Sequence, residues 1–294
     1  MPQRPDNRAD IRDFLARRRA QLTPEQVGLP TSGRRRVPGL RREEVAVLAG
    51  VSTEWYTRLE KGHIGGVSED VLDAVARTLR LSEDERTYLF DLARAAQPGP
   101  APRRRRKAGT IPPHVQWLLD SMTLSAAYVN NGRLDIVAGN ALARALFAPM
   151  YASPTTARDG RPNFARYHFL DPGAQDFVVD WGSAADVTAA LLRAEAGRYP
   201  HDRALRELIG ELSTVSAEFR IRWAAHGVRV HHGGVKRLHH PEAGPLQLTY
   251  QPLDLPVSAH EAHSLTIYTA EPGTPDEDRL KLLASWTAVP HDQM

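Results

Sequence analysis

Thr53, Glu54, Thr57 and Arg58 are hydrogen-bonding side chains spaced to share one side of a short helix. Groups displayed that way suit the edges of bases in a duplex, where arginine can bond guanine bidentately. Tyr56 and Leu59 occupy the other side of the same stretch, and just upstream Val45, Leu48 and Ala49 follow an i, i+3, i+4 apolar pattern. Gly50 separates the two runs. A glycine there can adopt the left-handed conformation that ends a helix, and Ser52 can cap the next one through its hydroxyl. Two apolar faces joined so closely must meet, which leaves the polar side of the second helix outward, as in a helix-turn-helix whose second helix enters the major groove. Arg42, at the start of the first helix, suits a phosphate, and Lys61 follows the second as a further cation. The same spacing also fits a helical hairpin of an unrelated all-α domain with solvated charges.

The twelve histidines raise a different chemistry, since His231-His232 and His239-His240 could ligate metal or transfer protons. Neighbours on a strand point to opposite faces, so each pair could offer one ligand to a given site. No carboxylate cluster accompanies them, and no nucleophile elbow, phosphate-binding glycine loop or dinucleotide fingerprint appears. With no cysteine, disulfides, thiol catalysis and cysteine-bound zinc are excluded. The expectation is a protein without catalytic residues, metal or cofactor. The rival reading is a DNA-tethered enzyme with a histidine-based catalytic or metal site in its C-terminal half.

A chain of 294 residues accommodates two ordinary domains. Its net charge of +3 conceals an asymmetry: residues 1–107 carry 22 basic and 15 acidic side chains, whereas the rest carries 16 and 20. The basic excess therefore accompanies the candidate reading helix, where release of counterions from phosphates would supply affinity. No apolar run approaches the roughly eighteen residues of a membrane span, and the N-terminus is polar, so a cytoplasmic protein off the membrane is expected.

Several elements must position these groups. Asn7 or Asp10 can cap a first helix carrying Ile11, Phe14, Leu15 and Leu22 inward, with Arg17, Arg18 and Arg19 among them. A Pro- and Gly-rich loop from Thr23 to Leu40 follows, and its Arg34, Arg35 and Arg36 could touch phosphate or a minor groove or be solvated. Beyond Gly62, Ser68 caps a helix with Val71, Leu72, Val75, Ala76 and Leu79 inward, and Ser82 with Glu85 forms a capping box for a fifth helix burying Tyr88, Leu89 and Leu92. Residues 1–95 thus read as a five-helix, all-α domain, and 96–113, with five prolines and the run Arg103 to Lys107, as a basic linker. Residues 114–294 read as α+β. A helix near Val115 to Met122 precedes strands 126–130 and 134–138 around Asn130-Asn131-Gly132, a short helix from Asn140 to Phe147, and helices 183–196 and 202–216. Strands 228–238, 246–253 and 265–268 and a helix from Asp276 to Trp286 complete one antiparallel sheet with its cover.

The run from Arg41 to Gly62 resembles the Cro/repressor-type helix-turn-helix of the xenobiotic-response-element family. The resemblance implies that Ser52, Thr53, Glu54 and Arg58 face bases, that Arg42 meets phosphate, and that Glu60 pairs with an arginine of the preceding helix, here Arg19, to fix the recognition helix. Trp55 stays open between a phosphate contact and the core. In the C-terminal half, Val137-Ala-Gly-Asn-Ala-Leu, Asp180-Trp181, the run from Ala194 to Asp202, Arg237-Leu-His-His-Pro241 and the run from Tyr268 to Gly273 resemble the ligand-binding domain of the MmyB-like transcription regulators. Members usually carry an aromatic where this chain has Gly139. That resemblance implies a PAS-like fold holding a small hydrophobic, fatty-acid-like ligand.

A PAS-like sheet folded against helices encloses an apolar cavity. Its candidate lining is Tyr128, Phe147, Phe169, Trp181, Trp223, Leu248, Tyr250 and Tyr268, with Asn140 and His240 as polar anchors, although aromatics so spaced also suit ordinary core. The whole reads as a multidomain regulator of transcription, with duplex DNA, a small apolar ligand and a second copy of itself as partners, associated with the nucleoid when DNA-bound.

Overall fold

The protein is described by a computed structural model covering residues 7–30, 39–96, 111–156, 160–225, 227, 233–256 and 263–287. Among these, no helix is long and apolar enough to cross a membrane. The basic runs Arg34 to Arg36 and Arg103 to Lys107 lie outside the described residues.

Two compact units emerge. The described residues of the first fall within Met1–Pro102, Arg193–Arg206 and Ala225–Val230, and those of the second within Arg103–Leu192, Glu207–Ala224 and His231–Met294.

Five helices form the bulk of the first unit: α1 (Arg8–Gln21), α2 (Arg42–Ala49), α3 (Thr53–Glu60), α4 (Glu69–Thr78) and α5 (Glu83–Ala96), with a short 3-10 turn at Glu25–Val27. Ile11, Phe14 and Leu15 project from α1 into one core with Val45, Tyr56, Leu59, Leu72, Val75, Leu79, Leu89 and Leu92. Leu22 stands at the extended C-cap of α1, only partly buried. The buried face of α2 is Val45, Ala46 and Ala49, while Leu48 is 39% exposed. Periodicity placed Leu48 on the buried face, but the structure buries the smaller Ala46 there instead, and a small residue on that face lets neighbouring helices approach closely. Gly50, at φ 68°, caps α2 in the left-handed conformation and donates its N–H to Ala46 and Val47 carbonyls, so a side chain there would be strained. Ser52 Oγ accepts from Trp55 N at 3.1 Å and starts α3. In the expected capping box, Ser82 N donates to Glu85 at 2.9 Å and Glu85 N to Ser82 Oγ at 3.3 Å.

The segment Arg193–Arg206 has no local signal tying it to this core, yet it packs there. Ala194 lies against the core, Arg198 pairs with Asp91 at 3.2 Å, and a Cβ on Gly197 would stand 2.3 Å from the Tyr88 ring.

The second unit is built on five strands: β1 (Ala126–Asn131), β2 (Ile136–Gly139), β3 (Gly234–His240), β4 (Gly244–Asp254) and β5 (His263–Thr269). They form one antiparallel sheet in the order β2-β1-β5-β4-β3. The hairpin expected around Asn130-Asn131-Gly132 exists, but its turn is longer than two residues. Asn131 Oδ1 accepts from Arg133 N and Asp135 N, and Leu134 takes φ 66°, so β2 begins at Ile136 rather than at residue 134.

Alternation along the strands divides the sheet into two apolar faces. Ala127, Val129 and Leu265 face Val115 and Leu119 of α6 (Pro113–Ser121), whereas Trp117 on the same helix is 70% exposed. Tyr128, Leu238, Leu246, Leu248 and Tyr268 face the opposite way. Covering that second face are α7 (Ala141–Leu146), α8 (Ala148–Tyr151), α9 (Phe164–Leu170), α10 (Gly173–Phe177), the start of α11 (Trp181–Arg198) and, after α12 (Arg203–Val215) and α13 (Ala217–Ala224), the closing helix α14 (Pro275–Thr287).

Candidate nucleic-acid interface and apolar core

The orientation of α3 rests on one buried carboxylate. Glu60, 1% exposed at the end of α3, accepts from Arg19 of α1 in fork geometry, Nε to Oε2 at 2.8 Å and NH2 to Oε1 at 3.0 Å. Arg42 of α2 adds a third bond, Nε to Oε1 at 3.0 Å, and Arg19 also donates to the Leu40 carbonyl at 2.7 Å. Three helices and the segment before α2 are thus tied at one point. Burial alone would raise the Glu60 pKa, but the hydrogen bonds and charges of the two arginines outweigh it, and the net shift is downward. Arg42, expected at a phosphate, is therefore half-exposed and engaged with Glu60.

On the far side of α3 the side chains are differently placed. Ser52, Thr53, Glu54, Arg58 and Lys61 are exposed, and Thr57 is half-buried with its hydroxyl donating to the Thr53 carbonyl at 2.7 Å. Among the described residues, the side chains of Thr53, Glu54, Arg58 and Lys61 engage no partner. Trp55, left open by the sequence, packs on the core of the first unit.

In the second unit the structure gathers the expected aromatics into two groups. Tyr128, Phe147, Tyr250 and Tyr268 lie together on the helix-covered face of the sheet, with Phe147 and Tyr268 centroids 5.3 Å apart and Tyr250 and Tyr268 5.7 Å apart. Leu248 is fully buried beside them. Phe164 and Phe177, which the sequence did not single out, complete this layer at 5.1 Å from Tyr128 and 6.2 Å from Phe147. Phe169, Trp181 and Trp223 belong to a second group. It centres on Phe219, which stands 5.0 Å from Phe169 and 5.4 Å from Trp223, while Trp181 lies 6.5 Å from Phe169.

Neither expected polar anchor has hydrogen-bonding capacity left over. Asn140 Oδ1 accepts from Ala143 N, capping α7, and from Ala127 N, while Nδ2 donates to the Met122 and Ser125 carbonyls. His240 Nδ1 accepts from Glu242 N and Ala243 N, so Nε2 carries the proton and donates to the Ala145 carbonyl at 3.0 Å. His239 turns outward, exposed, as strand alternation requires; His231 and His232 lie outside the described residues. Among the described residues no three metal-ligating side chains of the His, Cys, Asp and Glu kind come together.

His168 is a buried imidazole that sequence reasoning passed over. Thr188 Oγ1 donates to the Ala184 carbonyl and so accepts from His168 Nδ1 at 2.8 Å. Burial first, and the charge of Lys236 second, bring its pKa down to about 3. An unfolded histidine takes up its proton near pH ~6.5, so the stability that His168 contributes is complete above that pH and is lost as pH falls below it. Urea unfolding at about pH 7 and about pH 5 should show this slope, and His168→Gln should flatten it.

A helix-turn-helix with its polar side bare, followed by an α+β unit with an aromatic interior, is the architecture of a DNA-binding transcription regulator with a ligand-binding domain. Family models match both parts: a helix-turn-helix domain over residues 11–89, and the MmyB-like transcription regulator ligand binding domain over residues 111–283. The chain belongs to the MmyB-like transcription regulators. None of the curated proteins compared with the chain matches it.

Proposed function

We propose that this chain is a sequence-specific regulator that inserts α3 into the major groove, reads bases with Thr53, Glu54, Thr57 and Arg58 from the Ser52 cap onward, and senses a small hydrophobic, fatty-acid-like ligand. The observation carrying the first part is the contrast across α3: Arg19 and Arg42 hold Glu60 and so fix the helix from beneath, while the outward cations Arg58 and Lys61 engage nothing among the described residues. Lys61 and Arg42, whose guanidinium is half-exposed, would meet phosphates. The aromatic layer around Tyr128, Phe147, Tyr250 and Tyr268, with Leu248, supports the second part, and Phe169, Trp181 and Trp223 would border the same ligand from their own cluster. The regulator acts as a cytoplasmic homodimer, nucleoid-associated when bound, and has no enzymatic activity of its own.

Ligand acts through its differential affinity for two arrangements of the dimer. Selection of bound sites from random duplexes tests the reading head: paired half-sites about one helical turn apart are expected from a two-fold dimer. Arg58→Ala should weaken binding to the selected site by about 1 to 3 kcal/mol and relax preference at one base pair. Unchanged affinity and preference in that variant would remove α3 from the groove.

A further inference from the structure

Lys236 is the charged residue that the fold places where an apolar lining would be expected. It pairs across the β3–β4 ladder with Leu248, and its same-face neighbours along the strand are Gly234 and Leu238. Leu248 and Leu238 are buried in the helix-covered core, so the Lys236 stem points to the side on which Tyr250 and Tyr268 stack. The residue is half-buried, and its ammonium makes no hydrogen bond or close ion pair among the described residues. The acid whose charge acts on it is Asp180, but both Asp180 oxygens accept from the Arg237 guanidinium, Nε to Oδ2 at 2.9 Å and NH2 to Oδ1 at 2.5 Å. His168 of α9, which burial keeps uncharged at neutral pH, offers no countercharge.

The buried Tyr167 hydroxyl of this core also lacks a partner among the described residues but carries no charge, whereas three other polar groups there are satisfied internally. Asn140 and His240 use their capacity on backbone, and His168 on Thr188. A desolvated cation without a partner is costly, and the remedy available to it is an anion brought from outside. Burial moves its pKa down to about 8, with Asp180 opposing that shift, so the ammonium still predominates at neutral pH.

We infer that Lys236 is the head-group site of the ligand-binding domain: it bonds the carboxylate of a long-chain acid whose tail lies among the rings of the sheet's aromatic face. This rests on the reading of the domain as a sensor of apolar small molecules, and it makes the acid function, rather than chain length alone, the recognised feature. A charge-assisted hydrogen bond would then separate an acid from the alcohol of the same length, as in the strong pairing of ammonium with carboxylate.

Calorimetric titration of the full chain with palmitic acid and with hexadecanol tests it. The wild-type chain should prefer the acid. Lys236→Met should weaken acid binding by about ten- to a hundredfold, the range for a hydrogen bond to a charged group, and leave the alcohol within about twofold. Lys236→Arg should restore much of the preference. Retained alcohol binding shows that the methionine variant is folded. Acid binding that Lys236→Met leaves intact would overturn the lysine site alone; failure of the wild-type chain to bind either probe would overturn the apolar-ligand reading and the head-group site together; and alcohol bound as tightly as acid would leave a sensor in which Lys236 has no such role.

Discussion

Glu60→Ala should destabilise the first unit by about 3 to 5 kcal/mol, the cost of removing one member of a buried ion pair and stranding the other. The carboxylate is 1% exposed and its two partners are pinned in place: the Arg19 side chain is 16% exposed and still committed to the Leu40 carbonyl. Without Glu60, two guanidiniums face each other with no anion between them. Glu60→Gln should cost nearly as much, because it keeps the shape but not the charge. Thermal unfolding of the full chain should show the melting step of the first unit lowered by on the order of 10 to 30 °C while that of the second is unmoved. Affinity for the operator should fall in the same variant, but only as far as the folded fraction falls, whereas Arg58→Ala should lose affinity with its melting unchanged. The pH dependence carries the same sign. Because the folded-state pKa of Glu60 is depressed, its contribution is present above the ordinary glutamate range near pH ~4.3 and lost as acid drives the pH below it. A Glu60→Ala chain whose first unit melts like the wild type would show that α3 is held by apolar packing alone.

The reading head was legible because its signals are local. Gly50 and Ser52 mark a stop and a start, and a period of 3.6 residues separates Tyr56 and Leu59 from Thr53, Glu54 and Arg58 on a helix of eight residues. Even so, periodicity assigned Leu48 to the buried face, and only packing shows Ala46 there instead. In the C-terminal half the strands were legible through alternation, but α9 and α10, seven and five residues long, are too short to show a period. They bring Phe164, Tyr167 and Phe177 to the interior, so three of the aromatics went unnamed. Their start was written in Asn163, whose Oδ1 accepts from Arg166 N at 2.9 Å. Lys236 lies two residues before Leu238 and so on the same face of its strand, but alternation alone does not tell which face the helices cover. The packing of Arg193–Arg206 in the first unit is a long-range event, and nothing in its own composition announces it.

Asn140→Ala should cost the second unit about 2 to 4 kcal/mol, more than the roughly 1 kcal/mol usual for loss of a helix cap. The difference lies in how many backbone groups one amide serves. Its oxygen satisfies Ala143 N at the first turn of α7 and Ala127 N in β1, at 2.8 and 3.1 Å, and both residues are buried where water cannot replace it. Its nitrogen bonds the Met122 and Ser125 carbonyls, each at 2.8 Å, which closes the chain between α6 and β1. Met122 and Ser125 are only partly buried, so solvent recovers part of that loss. Asn140→Asp is the sharper variant. It retains the cap and the bond to Ala127, but turns a double donor into an anion aimed at two carbonyl oxygens, and it should destabilise at least as much as alanine at neutral pH and recover on acidification. Asn140→Ser, which can cap α7 but cannot span to the carbonyls, should fall between the wild type and alanine. If chemical denaturation ranked aspartate with the wild type, the amide nitrogen would have no structural part, and Asn140 would return as a group available to a ligand.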